Sequence, residues 1–99
     1  MNIQELMKQA QKMQGEMAAI ESELNEKIYE GSAGGVVNAR VDGTYTIHEV
    51  KVGKEVLEDV EMLEEMLVLA LNDALSQAKT EREQRLGALT QGMGMPGGY

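Results

Sequence analysis

Seven apolar residues, Ile3, Leu6, Ala10, Met13, Met17, Ile20 and Leu24, recur at alternating spacings of three and four along the first quarter of the chain. That alternation lines them up as one stripe of an α-helix for about three heptads, whereas a strand would repeat its faces every second residue. The spacing predicts a helix over residues 2–26, N-capped by Asn2 with Glu5 in the capping-box position. At 1.5 Å per residue such a helix spans roughly 36 Å. Gly15 falls off the stripe, where it costs about 1 kcal/mol relative to Ala.

Near Asn25 the period changes from 3.5 to 2. Lys27 to Glu30 opens a strand, and Gly34-Gly35 supplies a turn. Val37, Ala39 and Val41 then alternate with Asn38, Arg40 and Asp42, the pattern of a half-buried strand. Asp42-Gly43 suits a type I′ hairpin turn, which needs positive φ at both central residues. In the return strand, Thr44 to Val52, Val50 and Val52 share one face while Tyr45 and Ile47 share the other. A bulge near His48 would reconcile the two phases. Together these segments predict a three-stranded antiparallel meander. Gly53 ends it, Lys54 to Glu58 form a connecting turn, and Asp59 is placed to cap a second long helix. In that helix Val60, Leu63, Leu67, Ala70, Ala74 and Ala78 step by three and four. Met62, Met66, Leu69, Leu71 and Leu75 widen the stripe, so the helix should be buried on more than one side. It is expected to fray near Leu86-Gly87, before a Gly- and Met-rich tail whose composition cannot build a core. The expectation is an α+β protomer of order α-β-β-β-α, a single dimerising domain over residues 1–86 with a flexible tail over 87–99.

Lengths point to a second copy. The second helix should reach roughly 40 Å, against roughly 23 Å for strands of this size. Both helices overhang the sheet, and their apolar rows and the sheet's edge strands lack cover within one chain. A two-fold homodimer with projecting helical arms is the economical solution.

The composition excludes several functions. The chain has no Cys and one His, His48, so there is no disulfide framework, no thiolate nucleophile and no Cys- or His-rich metal site. His48 has no Ser or Cys pattern around it, and it reads as a strand histidine, not a catalyst. The acidic series Glu55, Glu58, Asp59, Glu61, Glu64 and Glu65 lacks EF-hand spacing and reads as a solvated helix start. Gly31 to Gly35 lacks the Lys-Ser/Thr ending of a phosphate loop. No enzyme, catalytic residue, metal, cofactor or small-molecule substrate is therefore expected. The start of the chain has no apolar signal core, and no apolar run approaches the roughly 18 residues a membrane span needs. A cytoplasmic protein with no membrane partner follows.

Charge is unevenly distributed. The net charge is −8, yet residues 1–14 and residues 77–99 each carry +1, and residues 15–76 carry −10. Lys8 and Lys12 stand four residues apart, and Lys79, Arg82 and Arg85 step by three, so each set shares a helix face. They can serve either as solvated i,i+4 partners of Glu16, Glu83 and Glu81 or as phosphate contacts. No aromatic residue stands beside them for base stacking, which disfavours single-strand recognition.

Four segments, LMKQAQKMQ, GVVNARVDG, LEDVEMLEEMLVLALNDA and GMGMPGG, follow one another in order from Leu6 to Gly98. In this the chain resembles the YbaB/EbfC nucleoid-associated proteins over nearly its whole length. The resemblance implies an α-β-α protomer in a tweezer-like homodimer that binds double-stranded DNA in the bacterial nucleoid, affecting DNA organisation and gene expression. It implies that Lys8 and Lys12 in the first helix and Lys79, Arg82 and Arg85 in the second contact DNA. Gly34-Gly35, Asp42-Gly43 and Asn72-Asp73 would be structural markers. Few base-reading side chains are on offer, so contacts should be mainly to the backbone, with weak sequence preference. The competing reading is a protein-interaction or chaperone-like scaffold that holds clients between Met-lined arms without binding DNA.

Overall fold

The computed structural model describes residues 2–92. The first helix, α1 (Ile3–Glu26), is followed by three strands, β1 (Ile28–Ala33), β2 (Val37–Asp42) and β3 (Ile47–Val52). A short 3-10 turn (Lys54–Val56) then leads into a long helix, α2 (Val60–Gly92). The strands form one antiparallel sheet of order β1-β2-β3, the α-β-β-β-α meander that the periodicities predict. Both expected N-caps form. The Gln4 N–H donates to Asn2 Oδ1 at 2.9 Å, and the Met62 N–H donates to Asp59 Oδ1 at 3.1 Å.

The phase mismatch in β3 is resolved by a bulge at His48. Arg40 pairs with Glu49 and Val41 with Ile47, leaving His48 as the extra residue. The bulge puts Ile47, Val50 and Val52 on the same face as Val41, Ala39 and Val37, their partners in β2.

The doubly positive turn falls at Gly34-Gly35, not at Asp42-Gly43 as expected. Gly34 and Gly35 have φ of 57 and 71°, and the Val36 N–H donates back to Ala33 O at 3.1 Å, so the doubly positive turn sits here. At Asp42-Gly43 the expected type I′ turn is absent. The Tyr45 N–H donates to Asp42 O, the Asp42 N–H donates to Thr46 O, and Tyr45 takes the positive φ of 67°. This is the pattern of a three-residue hairpin loop closed by a left-handed residue. Gly43 is required for a different reason. A Cβ there would run into the Leu24 carbonyl, where the end of α1 presses on the loop.

The core lies between α2 and the inner face of β1 and β2. Ala33, Val37, Ala39, Val56 and Ala70 form one buried cluster, and Tyr29, Val41, Ala74 and Ala78 form the other. Ala70, Ala74 and Ala78 let the helix approach so closely that a Cβ on Gly31 would collide with the backbone of Ala70 and Ala74. Gly31, Ser32 and Ala33, just past the stretch expected to open the strand, are thus part of it. Two side chains of α2 also close the free edge of β1. The Ser32 N–H donates to Asp73 Oδ2 at 3.1 Å, and Gln77 Nε2 donates to Glu30 O at 2.7 Å.

Past the sheet α2 continues through Gly87 to Gly92, beyond the boundary expected near Leu86. Leu86 and Leu89 resume the four- and three-residue stepping from Arg82 and are half-buried, while nothing crowds Gly87. The rest of the tail, residues 93–99, lies outside the described residues. The molecule measures 69 × 27 × 14 Å with a radius of gyration of 19.3 Å, against about 13 Å for a compact chain of this length. It is a body with an arm.

Candidate nucleic-acid interface

The arm is built where α1 and the second half of α2 run in opposite directions. Glu23 meets Arg85 at 2.7 Å, Arg82 Nη2 donates to Asn25 Oδ1 at 2.6 Å, and Lys27 meets Glu81 at 2.7 Å. By this register the last described turn of α2 comes level with about residue 16 of α1, so residues 3–15 project roughly 20 Å further. This far segment is exposed throughout except at Met13, and its apolar seam is uncovered: Ile3 is 73% and Leu6 46% exposed.

The five predicted site residues separate into distinct environments. Lys8 and Lys12 stand exposed on the projecting part of α1 and make no ion pair among the described residues. Lys12 lies about 16 Å along the axis from Glu23, and Lys8 about 22 Å. Lys79, Arg82 and Arg85 sit at the root of the arm, so the two sets are not brought together. Lys79 is exposed in an open groove beside Tyr45, Asn72, Leu75 and Ser76. Arg85 is committed to Glu23 but keeps an exposed flank, and that pairing raises its pKa. Arg82 is half-buried. Besides Asn25, its Nη2 donates to Gly43 O at 3.0 Å. The ion pairs at the root run between elements, in place of the i,i+4 pairs that the spacing also allows.

Beside this root lie two perturbed groups. Tyr29 is buried and its hydroxyl has no well-formed hydrogen bond; burial and the neighbouring Glu81 carboxylate push its pKa up to about 12. Asp42 is a hub of the β2–β3 loop. It accepts from the Thr44 hydroxyl, from His48 Nε2 at 2.8 Å, and from the Thr44 and Thr46 N–H groups at 2.8 and 3.2 Å. These bonds, with Thr44 and His48 foremost, hold its carboxyl well below the usual range. His48 therefore serves the loop. Sequence reading missed Asn25 and Gly43 as partners of Arg82, because the three meet only across 39 to 57 residues of chain. A Gly just past a strand and an Asn at a helix end are the faint signals that were available.

The acidic series from Glu55 to Glu65 falls at the opposite end of α2, about 30 Å from Arg85 at its nearest. Among the described residues no group of three or more acidic, His or Cys side chains is arranged to hold a metal ion, and no described helix is long and apolar enough to cross a membrane.

The fold is an elongated α+β body with a helical arm whose far end carries two exposed lysines, remote from the acidic start of α2. Comparison with known proteins gives this fold a family. The profile of the YbaB/EbfC DNA-binding family matches residues 1–93, and the chain belongs to that family. A nucleoid-associated protein of Xylella fastidiosa is 39% identical over 99% of this chain and 92% of its own length. One from Desulfotalea psychrophila is 42% identical over 97% and 93%. In fold, the crystal structure of an uncharacterized protein from Helicobacter pylori aligns with a TM-score of 0.78 at 23% identity, covering 91% of this chain and 98% of that one.

Proposed function

We propose that this chain acts as a homodimer that binds double-stranded DNA in the nucleoid of the cytoplasm, through backbone contacts with weak sequence preference, and so affects DNA organisation and gene expression. The observation that carries this reading is the position of Lys8 and Lys12. They are exposed, without ion pairs among the described residues, and on the part of α1 furthest from the acidic helix start. With a Debye length of about 8 Å at physiological ionic strength, charges tens of ångströms away are screened from them. Lys79 and the free flank of Arg85 extend the contact set towards the body. Phosphate contacts of this kind release condensed counterions and give affinity without base reading.

The dimer rests on a separate feature. The inner face of β3 is not covered by α2, and Ile47, Val50 and Val52 are 50%, 38% and 37% exposed. Tyr45 lines one open groove with Asn72, Leu75, Ser76 and Lys79, so the flank of α2 turned to β3 is the one bearing Leu75. At 100° per residue Val68 and Leu71 share that flank, and Val68 is also exposed. A second copy would cover this apolar trough.

Salt titration of duplex-DNA binding tests the function. Binding should fall steeply with salt. Replacing Lys8, Lys12, Lys79 and Arg85 by Ala should abolish the gel shift and leave the dimer intact. Unchanged binding would remove this interface. No shift at low salt, with protein partners recovered after nuclease treatment, would favour the scaffold reading, to which the exposed Leu6, Met7 and Met17 are suited.

A further inference from the structure

We propose that Arg82 is a positioning residue that fixes the direction in which α1 leaves the body, and that it does so without touching DNA. The functional half of this proposal rests on the DNA-binding reading above; the structural half does not.

The direction of α1 has few other determinants. A single extended residue, Lys27, joins it to β1. Of its side chains only Leu24 is buried. Further out Met13, Glu16 and Ile20 are half-buried, but the contacts that join α1 to both α2 and the β2–β3 loop lie at its root. Three of these are polar. Glu23–Arg85 and Lys27–Glu81 each join an exposed side chain to a half-buried one, and each ties α2 to one element alone; solvent-facing pairs of flexible side chains hold geometry weakly. Arg82 differs in kind. It is half-buried, and one Nη2 reaches both Asn25 Oδ1 at 2.6 Å and Gly43 O at 3.0 Å. It thereby ties α1, α2 and the β2–β3 loop at one point. Gly43 also receives the Leu24 carbonyl against its backbone, so the loop that Arg82 grips is the surface on which the end of α1 rests.

Both acceptors are neutral, which suits a clamp. A planar guanidinium can span two carbonyl dipoles with fixed geometry and stay charged, where a lysine ammonium offers a single point. The lever is long. Over roughly 36 Å of helix, a tilt of about 10° at the root moves the far end by about 6 Å. That exceeds the rise of about 3.4 Å between successive phosphates of one strand. An arm loose at its root would present Lys8 and Lys12 out of register with the phosphates.

The test uses the full chain, whose lack of cysteine allows clean spin labelling. Gln9→Cys on α1 and Asn38→Cys on the outer face of β2 report the arm angle when labelled chain is diluted into excess unlabelled chain, without DNA. A narrow distance distribution is expected in the parent. It should broaden or shift in Arg82→Ala, and equally in Asn25→Ala, which removes an acceptor and leaves the cation in place. Arg82→Lys should recover it only in part. An unchanged distribution in both alanine variants, each retaining its far-ultraviolet circular dichroism, would overturn the proposal.

DNA binding supplies the second readout. Arg82→Ala and Asn25→Ala should each weaken binding by about tenfold, the scale of one charge-assisted hydrogen bond, with the salt slope unchanged. Lys8→Ala should lower the slope by about 0.9 for each phosphate that is no longer neutralised. A slope that drops in Arg82→Ala, with full affinity in Asn25→Ala, would make Arg82 a phosphate ligand and overturn the proposal. Failure of the parent to bind DNA would sink the DNA reading, and the distances alone would then decide whether Arg82 positions the arm.

Discussion

Tyr29 shows how one buried hydroxyl ties the stability of the fold to pH. Its ring lies in the core against α2, with Lys27 Nζ 5.4 Å from the ring centroid and the Glu81 carboxylate beside its hydroxyl. Burial first, and that negative neighbour second, disfavour the phenolate and carry the pKa from 10.0 to about 12. A group whose pKa is raised on folding stabilises fully below its unfolded value, and that contribution disappears as pH climbs through the folded one. The Tyr29 contribution should thus be intact below about pH 10 and gone by about pH 12. The tyrosinate absorbance removed by Tyr29→Phe, followed against pH, should show a midpoint near 12; a midpoint near 10 would mean the hydroxyl is solvated. None of this is visible in the sequence, where Tyr29 is one alternating residue in a short strand. The residues that alternate, cap or step were legible: Asn2, Asp59, Val37, Ala39 and Val41 all do what their spacing implies. Those acting across the fold, such as Arg82 on Gly43, were not, because nothing local marks them.

At the scale of elements, the spacing between α2 and the sheet depends on having no side chain at Gly31 and only methyl groups at Ala70, Ala74 and Ala78. Gly31→Ala would drive its Cβ into helix backbone, which cannot yield as a flexible side chain can. It should cost about 1–3 kcal/mol, as overpacking does. Gly15→Ala meets nothing within 4 Å and should gain about 1 kcal/mol from helix propensity alone. Urea midpoints of the two variants should move in opposite directions; a neutral Gly31→Ala would mean the helix can lift off the strand. Both helices and the meander followed from periodicity. The hairpin chemistry did not, because Asp-Gly fits two loop types and the close approach of the Leu24 carbonyl to Gly43 is not marked locally. The end of α2 lies further along the chain than composition implies, for a related reason: Gly87 lowers helix propensity, yet half-buried Leu86 and Leu89 carry the helix past it.

At the scale of the whole molecule, the apolar trough on β3 should govern self-association. Ile47→Asp with Val50→Asp would put a charge on each of two sites of that face. The pair should convert the proposed dimer to monomer at micromolar concentration in sedimentation, while the outer-face substitution Glu49→Gln should leave it intact. A dimer that survives the double change would place the interface elsewhere. The uncovered seam on α1 is a second, separate apolar surface, so the two should be distinguishable by mutation.

The pair of hydrogen bonds from Asp73 and Gln77 to β1 bears on the number of copies that can join. An open sheet invites further strands at both rims, and a chain with two sticky rims can grow into a fibre. Here two groups of one rim are already held by side chains from the chain's own helix, which leaves β3 as the more open side for pairing. In the proposed dimer, growth would then end after one partner, a closed couple in place of an endless ribbon. Stripping both guards, through Asp73 and Gln77 together, would restore a second growing end.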